Sequence, residues 1–385
     1  MRVDLASLGR FNRVGTDGAQ SAAAALSTLT GLQTGVEMSK VNFTPVDSVA
    51  ALFDHADRAV AIEFDGGLDG QALLTFEAET ADVVLDALEA DADPAYLNEV
   101  ANILTSSFVD GWAEGLADTI YVSSPESVED PADQVSGAKL AECDFVFESD
   151  LWIDGPDQHC TFYLLPESES FLDMLEATGE DRSSRAVSLG ELSTFIQLTA
   201  AGAETVADAL ATMTGVDADV AVTNLDFVPI TDVAGAIDES EYVGSVFEFD
   251  GLLDGYLAVM FDAEGASTVT EGLLPAGADG QMEQSAIEEL GNVTASGFID
   301  GWANALDTTI DHSVPDFVDD MGRAVLESIA VELARDQEFA YVFDVAITAE
   351  EPLYCRLFAF PDPEGFRTIV SGLDEQLDVS TVERV

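Results

Sequence analysis

Apolar positions recur every three to four residues from Leu97 to Trp112. Leu97, Ala101, Leu104, Phe108 and Trp112 line one side of a helix, and Glu99, Asn102 and Ser106 share the opposite side. The same pattern returns 190 positions later, with Ile287, Ala295, Phe298, Trp302 and Ala305 on the apolar face and Ser285, Glu289, Asn292 and Ser296 on the polar one. In each copy a carboxylate and an amide three residues apart project side by side from a rigid, solvent-facing surface. Asn102 is followed after 22 intervening residues by Pro125, and Asn292 after 22 by Pro315. Between these marks Asp110-Gly111-Trp112-Ala113 repeats as Asp300-Gly301-Trp302-Ala303. Two polar residues on the wet side of an amphipathic helix need no function by themselves. Their repetition at a fixed proline offset shows that the two halves of the chain share descent.

The remaining pattern is doubled as well. An Ala-rich helix within residues 5–30 ends at Gly31, and its counterpart ends at Gly215, aligned by Gly18-Ala19 and Gly202-Ala203. Strands follow at Val36 to Phe43 and Val220 to Phe227, each closing on a proline, Pro45 and Pro229. A hairpin runs from Val60 to Phe76 through Asp65-Gly66-Gly67-Leu68-Asp69-Gly70, with a twin around Asp250-Gly251-Leu252-Leu253-Asp254-Gly255. A short helix at Thr80 to Leu88 leads to the signature helix, whose start Asp93-Pro94 marks. The second half has a longer link there, Ala276 to Gln281. A second hairpin spans Lys139 to Pro166, closed by a helix at Phe171 to Ala177; the second half repeats this at Ala340 to Pro361 and Phe366 to Leu373. Residues 178–187 are polar and unpatterned and read as a linker. The expectation is α+β: two tandem domains, 1–180 and 181–385, each with two long helices packed on an antiparallel sheet and an order doubled within the domain.

Composition agrees with two cores, since 385 residues with 47% apolar content are long for one domain. Charge changes the picture more. Asp and Glu number 75 against 13 Lys and Arg, a net charge of −62, and Lys40 and Lys139 are the lysines. Such an acidic, lysine-poor surface over an ordinary core resembles the proteins of salt-accumulating archaea. At several molar salt the Debye length falls below about 3 Å and self-repulsion is screened. The charge excludes nucleic-acid backbones and anionic membranes as partners. No run approaches the roughly 18–20 apolar residues of a membrane span. Met1-Arg2-Val3-Asp4-Leu5 lacks a signal-peptide layout, so a cytoplasmic protein is expected. Cys143, Cys160 and Cys355 form no pair motif, and Cys160 and Cys355, in equivalent apolar strands, read as buried structural thiols. His55, His159 and His312 are scattered without metal-ligand spacing, and no nucleophile triad is present. The Asp-Gly turns lack the regular ligand series of a calcium loop.

The pattern Asp/Ser-x-x-x-Glu-x-x-Asn, 22 residues, then Pro resembles the active-site signature of the CheC/CheX/FliY family of chemotaxis phosphatases. The second copy fits through Ser285, Glu289, Asn292 and Pro315. The first fits at Glu99, Asn102 and Pro125, with Ala95 where the family has Asp or Ser. The resemblance covers nearly the whole chain, twice, and implies the pseudo-twofold fold of that family. It implies dephosphorylation of the phospho-aspartate of the receiver CheY, with Asn102 and Asn292 orienting the attacking water and Glu99 and Glu289 pairing with the receiver's lysine. It implies no cofactor of the chain's own, Mg2+ being supplied by the receiver. CheD is a further partner in the family, and a non-catalytic adaptor that binds CheD or the motor switch is the alternative reading. The family's second Glu-x-x-Asn, on the first helix, is degenerate here, with Gly9 and Asn12 in one half and Ser193 and Ile196 in the other. At most one site per domain is therefore expected.

Overall fold

The computed structural model describes residues 2–44, 49, 52–53, 56–88, 95–116, 119–128, 145–155, 158–167, 170–171, 186–275, 277–349, 353–371 and 373. It divides into two compact units, Met1–Ala186 with Phe227–Asp232, and Val187–Asp226 with Val233–Val385. The linker stretch 178–185, the start Asp93-Pro94, Lys139, Cys143, His55 and most of the first closing helix lie outside the described residues.

In the first unit, helix α1 (Leu5–Thr30) is followed by strands β1 (Thr34–Phe43), β2 (Arg58–Gly66) and β3 (Gly70–Phe76) and by helix α2 (Ala78–Ala87). The signature helix α3 (Ala95–Leu116) leads into the short strands β4 (Ile120–Val122) and β5 (Glu126–Val128), then into the hairpin β6 (Phe145–Ile153) and β7 (His159–Pro166). The sheet order is β1-β6-β7-β3-β2, with β4 and β5 both paired to the outer edge of β2. Exchanging α1 with α3, β1 with the β4/β5 pair, and one hairpin with the other reverses this order onto itself. The internal twofold expected from the sequence therefore lies between β7 and β3. Its contacts β1–β6, β6–β7, β7–β3 and β3–β2 are all antiparallel.

The second unit repeats the plan with α4 (Leu189–Thr214), β8 (Ala218–Pro229), β9 (Glu241–Gly251), β10 (Gly255–Asp262), α5 (Ala263–Leu273) and the signature helix α6 (Gly280–Ala305). Strands β11 (Ile310–His312) and β12 (Asp316–Met321), helix α7 (Gly322–Leu333), strands β13 (Phe339–Ala349) and β14 (Tyr354–Pro361), and helix α8 (Pro363–Val370) complete it. The order is β8-β13-β14-β10-β9, again with β11 and β12 on one edge strand. Ser188 and Glu191 form a reciprocal capping box at the start of α4, and Gly215, left-handed at φ 78°, ends it. Helix α7 and the short edge strands are absent from the pattern-based reading. Val325, Leu326, Ile329, Ala330 and Leu333 of α7 are buried at helical spacing.

Each pair of long helices crosses at glycines. A Cβ on Gly111 would lie 3.2 Å from the Gly18 Cα, and one on Gly301 would lie 3.0 Å from the Gly202 Cα. This close approach presses an aromatic box onto the sheet. Trp112 meets Phe147 edge-on at 4.6 Å and Phe11 at 6.1 Å; Trp302 meets Phe343 at 5.3 Å and Phe195 at 5.4 Å. The buried thiols Cys160 and Cys355 are raised above the ordinary thiol range by desolvation, which makes them unreactive. Two scarce cations are spent inside strands. Lys40 faces Glu148 across β1 and β6 at 3.4 Å. Arg356 donates to Asp344, to the Tyr354 hydroxyl at 3.2 Å and to the Ala236 carbonyl at 3.2 Å, and lies over the Phe358 ring.

The two boxes differ at one atom. Trp302 Nε1 donates to Thr199 Oγ1 at 2.9 Å, whereas the buried Trp112 Nε1 has no partner among the described residues, Gly15 occupying the position of Thr199. A Cβ at Gly15 would meet Phe147 and Trp112 at ordinary contact distances of 3.9 Å. Gly15→Thr is therefore expected to raise the unfolding transition of the first unit by about 1 kcal/mol, through one hydrogen bond and the gain over glycine in a helix. Calorimetry of the full chain in multimolar KCl checks this; an unchanged or lowered transition would refute it. At the crossing, Gly301→Ala is expected to destabilise by roughly 1–3 kcal/mol. Gly202→Ala, whose Cβ has 3.5 Å to the Phe298 carbonyl and 3.9 Å to Gly301, is expected to be neutral or stabilising. Equal losses in the two variants would exclude a steric origin.

Candidate functional site

The signature helices are positioned by their buried faces. Leu97, Ala101, Leu104, Phe108 and Trp112 are all buried, as are Ile287, Ala295, Phe298 and Trp302. Ala305, at the frayed end of α6, is only half-buried. On the opposite face Ala95 and Glu99 are exposed and Asn102 and Ser106 half-buried; Ser285 and Glu289 are exposed and Asn292 and Ser296 half-buried. Asp279 caps α6 by accepting from the Met282 N–H at 3.0 Å.

Among the described residues, the side chains of Glu99, Asn102, Ser285, Glu289 and Asn292 make no hydrogen bond or ion pair. Their neighbours do. Ser127 Oγ donates to Asn98 Oδ1 at 2.8 Å, Gln284 donates to Glu288 at 2.8 Å, and Ser296 Oγ lies 2.9 Å from His312 Nε2. The carboxylates and amides of the signature are thus held on a rigid helix while their hydrogen-bonding capacity stays open to something outside.

Pro125 and Pro315 explain their spacing through the edge strand beside the helix. Val122 pairs with Phe64 and Glu126 with Ala61, so Ser123, Ser124 and Pro125 stand opposite Ile62 and Glu63 alone. In the second unit His312 pairs with Phe249 and Asp316 with Val246, leaving Ser313, Val314 and Pro315 opposite Phe247 and Glu248. Three residues against two is a β-bulge, and a residue without an N–H suits its unpaired position. A serine completes each bulge, a pair of residues that the sequence reading missed. Ser123 N donates to the Glu63 carbonyl at 2.8 Å while Ser123 Oγ accepts from Glu63 N at 3.0 Å. Ser313 does the same with Glu248, at 2.8 and 3.1 Å. The repeated Ser two positions before each proline was the available signal. Two apolar side chains are strongly exposed here, Tyr121 at 63% just before the first bulge and Val314 at 84% within the second.

The first helices offer no comparable surface. Asn12 is buried, donating to the Ser39 carbonyl at 3.3 Å and accepting from Thr16, and Ile196 is buried. Asn12 serves the interior and cannot reach a partner, in keeping with one open row per unit. Among the described residues the one hydroxyl–imidazole contact on the rows is Ser296–His312, where the ring's other nitrogen faces the Ser313 carbonyl and not a carboxylate, so what the rows can do is position a water or a partner's polar group.

The CheC-like family profile matches residues 95–129 and 282–318, the two stretches that run from signature helix to bulge. A Halobacterium salinarum protein named as a candidate CheY-P phosphatase, CheC1, is 32% identical over 198 residues, which cover 49% of this chain and 100% of that one. The CheY-P phosphatase CheC of Bacillus subtilis is 30% identical over 99 residues, 25% of this chain and 47% of that protein. Among solved structures, Thermotoga maritima FliY aligns at a TM-score of 0.38 and 19% identity, covering 45% of this chain and 96% of that one. With a relative matched over its entire length and the profile met in both halves, the chain belongs to the CheC-like family.

Proposed function

We propose that this chain hydrolyses the aspartyl phosphate of a CheY-type receiver, with one site on each signature helix: Glu99 and Asn102 in the first unit, Ser285, Glu289 and Asn292 in the second. The observation that carries the reading is the unpaired Glu-x-x-Asn row, repeated on both helices beside a proline bulge. The phosphatase names of the Halobacterium and Bacillus relatives support it.

The chemistry asks little covalent work of the chain. Water attacks phosphorus in line, the aspartate carboxylate leaves with the bonding electron pair, and inorganic phosphate is released. Positioning and charge stabilisation dominate such a transfer. Mg2+ and a lysine in the receiver would supply charge. The neutral amide of Asn102 or Asn292 holds the attacking water without repelling the anionic phosphoryl group, which a second carboxylate would do. Glu99 or Glu289 engages the receiver's lysine and sets the docking angle. Tyr121 and Val314, exposed beside the rows, suit a protein surface as the partner.

The test is the lifetime of phosphorylated CheY in multimolar KCl with the wild-type chain, Asn102→Ala, Asn292→Ala and the double variant. Each single change is expected to remove its site's contribution, and the double variant to slow hydrolysis by at least about tenfold. Stability is expected to be unchanged, since these amides have no partner among the described residues. Loss with Asn292→Ala alone would assign the activity to the second site, with Ala95 marking the inactive first one. An undiminished rate in the double variant would reject the mechanism, and an unshortened lifetime with the wild type would make the chain an adaptor.

A further inference from the structure

Among the described residues, each unit fastens its signature helix to its bulged edge strand with a side-chain tie, and the two ties are made by non-equivalent residues. In the first unit Ser127, two positions past Pro125, donates to Asn98, the residue before Glu99. The second unit has Phe317 and Glu288 at those places and cannot repeat the bond. It ties His312, three positions before Pro315, to Ser296, one turn beyond Asn292, where the first unit has Val122 against Ser106. Loss of one tie and gain of the other point to the fastening itself as the requirement.

The second tie reaches the backbone of Asn292. Ser296 Oγ lies 2.8 Å from the Asn292 backbone carbonyl and 2.9 Å from His312 Nε2, while His312 Nδ1 lies 2.9 Å from the Ser313 carbonyl, inside the bulge. A proton on Nδ1 serves the Ser313 carbonyl and leaves Nε2 to accept from the Ser296 hydroxyl. When the ring carries both protons, Nε2 donates to Ser296, whose hydroxyl then donates to the Asn292 carbonyl. The tie holds in both states. Phe247 packs edge-on against the imidazole at 5.5 Å and fixes its plane.

We propose that His312 is a positioning residue of the second site: through Ser296 it locks the Pro315 bulge to the turn of α6 that carries Asn292. The catalytic part of this inference rests on the phosphatase reading above, whereas the tie does not.

The experiment uses the full chain carrying Asn102→Ala, so that only the second site contributes, with His312→Val and His312→Gln compared in that background. Valine is the first unit's residue at this place; glutamine keeps a polar atom near the position of Nε2. His312→Val is expected to lower kcat about tenfold with KM within about twofold, and His312→Gln to recover most of the loss. Unchanged kcat in His312→Val, or equal loss in both variants, would overturn the proposal, the latter by assigning the effect to ring packing on Phe247. Amide hydrogen exchange across Ile310–Ser313 reads the tie without any turnover. Faster exchange in the valine variant alone supports it, and identical exchange in all three chains overturns it. Should the Asn102→Ala parent show no hydrolysis, the phosphatase reading fails for the second site, and exchange still decides the tie.

Discussion

Two helices touching through bare backbone set the geometry of each unit. Gly18 against Gly111, and Gly202 against Gly301, let the long helices approach until a Cβ on either later glycine would sit 3.0–3.2 Å from the opposite Cα. Only at that separation do Trp112 and Trp302 reach both the first helix and the sheet, each packing on a strand phenylalanine and a helix phenylalanine. With one face so fully engaged, rotation of the signature helix about its axis would expose an aromatic box. The Glu-x-x-Asn row on the outer face therefore inherits its direction from contacts on the far side of the same helix.

The two units share this frame and differ in how it is finished. The tryptophan N–H is satisfied in one and orphaned in the other. A cross-strand Lys40–Glu148 pair in the first unit is answered by the Arg356–Asp344 pair in the second, where the guanidinium also meets a tyrosine, a carbonyl and a phenylalanine face. These cations come from a chain with only 13 Lys and Arg, so the interior holds charge that the acidic surface does without. Duplication followed by separate repair of the same weak points accounts for both likeness and difference.

Periodicity made the helices, hairpins and α+β class legible, because both long helices of each unit bury one continuous stripe. The Glu and Asn of each row could be placed on the open face by counting residues. What periodicity could not carry was anything decided across the sheet. The 22-residue interval to Pro125 and Pro315 is visible as a number, yet its meaning lies in a pairing of three residues against two that involves Ile62, Glu63, Phe247 and Glu248 far upstream. His312 looked scattered because its partner, Ser296, lies on another element. Asn12 read as a remnant of a second site, and its burial against a strand carbonyl was not inferable from its neighbours in sequence. Helix α7 was missed although Val325, Leu326, Ile329, Ala330 and Leu333 recur at helical spacing, because the first unit offers no described counterpart to it.

The bulge has a consequence for how another protein can approach. A regular outer strand with free N–H and C=O groups invites strand addition, in which a partner's extended segment joins the sheet. Here the outermost pairing is broken into short pieces, Ile120–Val122 with Glu126–Val128 and Ile310–His312 with Asp316–Met321, separated by a proline that offers no donor. The edge is blunted as a template for self-association or peptide capture, which leaves the helix as the approachable surface. Recognition on this side of the unit then falls to side chains of the helix and the bulge, not to backbone pairing.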